Sequence, residues 1–143
     1  PHIVYCDKVD PSGDDAPRAF RMRQDAHSTA IGKSILANKT NDELRNIYKT
    51  YSLYKHTKNT ITTVDALITN LNKVKKNGYS INEAETFEYV NGIGAAILDN
   101  EGRAIAGISI SGTKSTINLK TIPELSKKVT LAAKNISKRL RDT

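Results

Sequence analysis

Two serines, Ser109 and Ser111, stand two residues apart in an otherwise apolar run, Ala104-Ile105-Ala106-Gly107-Ile108 leading into Ser109-Ile110-Ser111. In an extended strand that spacing puts both hydroxyls on one face. Gly92, Gly94, Ala95 and Ala96 in the preceding apolar run keep the neighbouring surface free of bulk, which is how a small polar ligand can be held. A second candidate is the stretch Ser28-Thr29-Ala30-Ile31-Gly32, where Ser28 or Thr29 is a natural helix N-cap. Gly32 in the first turns of that helix costs about 1 kcal/mol against Ala. Such a glycine calls for close approach, either of another backbone or of a ligand to the exposed N–H groups at the helix start. Bare amides facing an anion are the chemistry of carboxylate recognition. The alternatives are that the serines satisfy neighbouring backbone groups, and that Gly32 and Gly92 serve plain helix–sheet packing.

Other chemistries have no pattern to rest on. The sequence contains no P-loop, dinucleotide-binding glycine fingerprint, nucleophile elbow or His/Cys metal spacing. His2, His27 and His56 are scattered along the chain, and only His27 stands at the mouth of a helix, where it reads as a structural or capping neighbour or as a ligand contact. Cys6, inside an expected strand, reads as an inert buried thiol. Neither enzymatic activity, a metal nor a cofactor is expected.

The elements that must position these residues centre on Gly78–Gly112. Tyr79–Asn82 reads as a strand, Glu83, Glu85 and Glu88 as an acidic loop, Tyr89–Leu98 and Arg103–Ser111 as two arms of a hairpin turning at Asp99-Asn100-Glu101-Gly102. Both arms are apolar or small on both faces, so they are expected in the middle of a sheet covered on each side. Upstream, residues 3 to 9 and Arg18–Gln24 read as paired strands, Asp10–Pro17 as their loop. A helix of about ten residues follows Ser28 or Thr29. Thr40 to Glu43 fits a capping box opening a helix through Tyr51, and Thr63–Lys76 a third helix stopped by Asn77-Gly78. The last helix runs from Ile122-Pro123 to about Leu140. The order β-β-α-α-α-β-β-β-α implies an α+β domain with helices covering an antiparallel sheet.

At 143 residues and 38% hydrophobic content this is most simply one domain with a single core. No apolar run approaches the length of about 20 residues that spans a bilayer. The lone cysteine excludes an intrachain disulfide and makes a reducing compartment, hence the cytoplasm, the expectation. The sequence shows no signal-peptide pattern and opens inside a strand, as an excised domain would. A net charge of +7 raises nucleic acid as a partner, but the lysines and arginines fall largely at helix ends, where they complement the dipole.

Three segments together resemble the effector-binding domain of the isocitrate-lyase-regulator (IclR) family of bacterial transcription factors: His27 through Ala37 (HSTAIGKSILA), Gly78 through Glu85 (GYSINEAE), and Gly92 through Gly112. The family's usual strings are close to HxxALGKALLA, GYAxDxEE and GVxCIAAPVxDxxGxxxAALSISGP. The resemblance implies a GAF-like, profilin-like fold of about six antiparallel strands flanked by helices, spanning residues 1–143. It also implies a winged helix-turn-helix DNA-binding domain outside this chain, a homodimer or tetramer, no membrane association, and a small-molecule effector, most simply a carboxylate. By that resemblance, main-chain amides of Ala30, Ile31 and Gly32 meet the ligand's carboxylate, and Asn82, Gly92, Ser109 and Ser111 line the sheet side. Asn82 replaces the family's frequent Asp, Gly92 its usual Cys, and Ala96 its Pro. These departures imply a larger, less negative pocket suited to a bulkier or more acidic effector. Competing readings are an oligomerisation domain without ligand, a direct nucleic-acid-binding module using the basic helices, and a small enzyme on the same scaffold.

Overall fold

The computed structural model describes residues 1–11 and 22–142. Two short strands, β1 (His2–Val4) and β2 (Arg23–Asp25), pair antiparallel with His2 opposite Asp25. A 3-10 turn over Ala26–Ser28 leads into α1 (Ala30–Leu36), and α2 (Asn41–Ile47) and α3 (Val64–Asn77) follow. Then come β3 (Ser80–Glu83), β4 (Val90–Leu98), β5 (Ala104–Thr113) and the long α4 (Ile122–Arg141).

Local chemistry sets most boundaries. Thr29 caps α1 by accepting from the Gly32 N–H, and Thr40 and Glu43 form the reciprocal capping box on α2. Thr63 caps α3, whose far end is stopped by Gly78 at φ 80°. The hairpin turn closes through Gly102 at φ 76°, with the Asp99 carboxylate accepting from the Glu101 and Arg103 amides at 2.9 Å.

The three-stranded sheet runs in the order β3-β4-β5, so β4 is central. Ile93, Ala95 and Ile97 of β4 turn to one face and pack with Val129 and Ala133 of α4 and with Ile117. On the opposite face Gly92 and Gly94 lie against the start of α1. A second core joins Ile3, Leu36, Leu44, Leu67 and Leu71 from β1 and the first three helices. The sheet is thus a middle layer between α1 and α4.

Several expectations change. Among the described residues there are five strands in two separate sheets rather than about six in one. The early strand stops at Val4, although the Tyr5 amide still donates to the Met22 carbonyl; the expected residues 18–21 of its partner lie outside the described residues. Cys6 consequently falls beyond the strand and is exposed, not buried. The hairpin arm β5 is not a central strand among the described residues. It pairs only with β4, and Ile105 on it is half exposed. α1 is seven residues long, and α2 ends at Ile47 rather than Tyr51.

Candidate functional site

The antiparallel register places the sequence-predicted residues in rows across the sheet. Asn82, Gly92 and Ser111 are direct partners in one row, and Ser80, Gly94 and Ser109 in the next. All therefore share the face that carries α1. Above them the helix start is very close: a Cβ added at Gly94 would lie 2.6 Å from the Ala30 carbonyl carbon and oxygen. One added at Gly92 would meet Ala30 Cβ at 3.4 Å and Ser111 Oγ at 3.5 Å, an ordinary contact. Glycine at 92 hence leaves space for at least a methyl group beneath Ala30. Ser80 Oγ fixes the approach by donating to the Ala30 carbonyl at 2.5 Å.

The seven candidates do not behave alike. Ala30, Asn82, Gly92 and Ser111 come together, with Ser109 one row away. Neither serine hydroxyl has a hydrogen-bond partner among the described residues, so they are not spent on neighbouring backbone groups. Asn82 is partly committed: its Oδ1 accepts from the Glu85 amide at 2.8 Å, leaving its amide nitrogen to offer. Ile31 projects toward Gly107, where an added Cβ would meet its Cγ2 at 2.9 Å. Gly32 turns away from the sheet. Its Cβ position lies 2.2 Å from the Ala26 carbonyl oxygen, and its amide donates to Thr29 Oγ1. Backbone approach, not ligand access, is what demands glycine there. The amides of Ala30 and Ile31 remain at the helix start without an intrahelical partner.

A buried ion pair beside these residues has no counterpart in the sequence reading. Lys33 Nζ and Glu85 Oε1 lie 2.5 Å apart with side chains 0% and 7% exposed. Burial pushes the Glu85 carboxyl above the usual carboxylate range, against the opposing attraction of Lys33, and its Oε2 has no partner among the described residues. The pair ties α1 to the loop after β3. That loop is further held by Thr57 Oγ1 donating to the Ala84 carbonyl, Thr60 Oγ1 to the Glu85 carbonyl, both at 2.7 Å, and Thr86 Oγ1 to the Ser28 carbonyl at 2.8 Å. These bonds hold Ala84 at φ 55°, a conformation costing on the order of 1 kcal/mol or more. One signal was present in the sequence: Lys33 occupies the same helical stripe as Ala30 and Ala37, so its ammonium had to be buried and paired.

The three histidines also come together. Asp25 Oδ1 lies 3.2 Å from His2 Nε2, and Asp25 Oδ2 lies 2.8 Å from His56 Nε2. His27 is buried between the rings of Tyr48 and His56 and donates from Nε2 to the Tyr54 carbonyl at 3.0 Å. Burial lowers its pKa and favours the neutral ring. Scattered along the sequence, the histidines meet because strand pairing and the loop after α2 fold distant positions onto Asp25. A surface cleft of about 400 Å³ lies elsewhere, between Val74, Ala96, Ala133 and Lys134, and none of the seven candidates lines it.

The family model described as "Bacterial transcriptional regulator IclR C-terminal" matches residues 2–138. The chain belongs to the IclR family. It is 32% identical over 141 residues to the HTH-type transcriptional regulator KdgR of Escherichia coli, covering 94% of this chain and 52% of the relative. Two solved structures superpose closely. The C-terminal domain of E. coli KdgR does so with TM-score 0.86 and 31% identity, over 97% of this chain and 80% of that one. The Thermotoga maritima IclR does so with TM-score 0.87 and 37% identity, over 97% of this chain and 57% of that one. The chain thus spans about half the length of the curated relative it matches and corresponds to the C-terminal part of an IclR-family transcriptional regulator. These relatives are regulators of transcription, in keeping with the expectation of a protein that is not an enzyme. Among the described residues no helix is long and apolar enough to cross a membrane.

Proposed function

We propose that this chain is the effector-binding and oligomerisation domain of a cytoplasmic transcriptional regulator whose winged helix-turn-helix DNA-binding domain lies outside residues 1–143. The effector is a small organic acid. Its carboxylate meets the Ala30 and Ile31 amides, and its polar groups meet the hydroxyls of Ser109 and Ser111 and the Asn82 amide nitrogen. The observation that carries this reading is the row Asn82-Gly92-Ser111 beneath Ala30, with the hydroxyls of Ser109 and Ser111 unpartnered among the described residues.

Because α1 rests directly on β4, a ligand larger than a few atoms enters only if the helix start lifts from Gly92 and Gly94. The Lys33–Glu85 pair couples that movement to the loop after β3. A ligand that binds the lifted arrangement better shifts the population toward it, and so alters the geometry presented to a second copy and to the DNA-binding domains.

The test is a panel of small carboxylates scored by thermal unfolding of the chain. A ligand at one hundred times its Kd adds about 2.7 kcal/mol of stability. A rise in midpoint with one acid, abolished in Ser109→Ala/Ser111→Ala while the ligand-free midpoint is unchanged, is expected. No response to any acid, with a stable dimer or tetramer in solution, would instead favour an oligomerisation unit without ligand. Nucleic-acid binding by this chain that weakens steeply with salt would favour the direct-binding module.

A further inference from the structure

We propose that Asp25, His27 and His56 form a binding site for a divalent first-row transition metal ion of the zinc class, separate from the seven residues assigned to the effector. One ligating atom from each of the three lies within 4.8 Å of the others. For metal–ligand bonds of about 2.0–2.1 Å, tetrahedral ligands stand roughly 3.3 Å apart. Asp25 Oδ2 and His56 Nε2, at 2.8 Å, already lie inside that spacing, and closing the pair onto the buried His27 takes a movement of at most about 1.5 Å.

The mobility needed is in the right place. His27 is fully buried and fixed by its ring neighbours, whereas the side chains of Asp25 and His56 are 21% and 26% exposed and can close from the solvent side. The chemistry of the donors selects the ion. Two imidazoles and one carboxylate suit zinc, cobalt or nickel, and not the oxygen-preferring magnesium or calcium.

His27 carries the feature that accompanies a ligating histidine. A carbonyl can only accept, so its Nε2 bears the proton toward Tyr54, and Nδ1 carries the lone pair. His56 donates from Nε2 to the Asp25 carboxylate. On metal binding that proton passes to Nδ1 or to solvent, and Nε2 and Oδ2 turn from hydrogen-bond partners into adjacent ligands. The fourth position is left to water, while His2 Nε2 stays on the other oxygen of Asp25. The ion then clamps β2 and the 3-10 turn to the loop carrying Tyr54 and His56, at the entry to α1.

The experiment uses a tag-free chain of residues 1–143 in a Cys6→Ser background, which removes its one thiol. Cobalt is titrated with visible d–d absorption as the readout, then displaced by zinc, and thermal midpoints are recorded with and without zinc. Saturation at one equivalent with a tetrahedral cobalt spectrum is expected, with affinity at least about tenfold weaker in His56→Ala and in Asp25→Asn. His2→Ala should change it little. Both variants alter partly exposed side chains, and circular dichroism without metal confirms that they fold. The inference is overturned if no saturable binding occurs near stoichiometric metal. It is equally overturned if binding survives unchanged in both His56→Ala and Asp25→Asn, or if it is lost in His2→Ala and kept in His56→Ala, the mark of a chain-terminal chelate. Response to carboxylates in the Ser109→Ala/Ser111→Ala variant is measured separately, so failure of one proposal leaves the other standing.

Discussion

Replacing Lys33 by Met keeps the length of a side chain that is 0% exposed while removing the ammonium that offsets buried Glu85. Removing one partner of a buried pair costs about 3–5 kcal/mol because the other charge is left uncompensated. At this size a loss of about 3 kcal/mol corresponds to a fall in Tm of roughly 10 °C. The loss should depend on pH with a defined sign. Burial already raises the Glu85 pKa in the folded chain, and without Lys33 it rises further. A carboxyl whose folded pKa exceeds its unfolded value is protonated at no cost below the unfolded value of 4.5, and stability is lost as pH climbs from there through the folded pKa. The slope in that window is about 1.4 kcal/mol per pH unit. Urea unfolding of Lys33→Met and of the unaltered chain at pH 5 and pH 8 therefore gives a difference that is larger at pH 8. The double replacement Lys33→Met/Glu85→Gln removes both charges and should recover most of the loss, to within about 1 kcal/mol. Equal losses at the two pH values, or a loss under about 1 kcal/mol, would refute the reasoning that the pair is dry and mutually dependent.

Glycine replacements separate packing from ligand space. Gly94→Ala drives a Cβ to 2.6 Å from the Ala30 backbone and should cost about 1–3 kcal/mol in thermal unfolding, whereas Gly92→Ala makes only ordinary contacts and should cost far less. Equal losses at the two positions would mean that α1 does not rest on β4 as described. Tyr48 is buried with a hydroxyl that lacks a partner among the described residues, and burial raises its pKa. Tyr48→Phe should accordingly be neutral or stabilising by up to about 1 kcal/mol in chemical denaturation, and a clear loss would reveal a bond to that oxygen.

Local chemistry in the sequence determined the helix starts at Thr29, Thr40 and Thr63, the stop at Gly78, the turn through Gly102 and the proline-led start of α4, because caps and turns are decided by residues within one turn of each other. It also put Ser109 and Ser111 on one face, since strand periodicity needs no knowledge of the neighbours. What covers that face was decided only by tertiary contact. Gly32 reads equally well as ligand access or backbone approach until Ala26 is found against it, and the room at Gly92 depends on where Ala30 sits. That β5 pairs only with β4 among the described residues, and that Cys6 is exposed, likewise follow from pairing at a distance, which apolar composition does not encode. Lys33 and Glu85, 52 residues apart, and Asp25 and His56, 31 apart, meet because separate elements pack against one another. Short-range patterns specify elements, but a buried charge finds its partner, and an imidazole its carboxylate, only when the whole chain has closed around them.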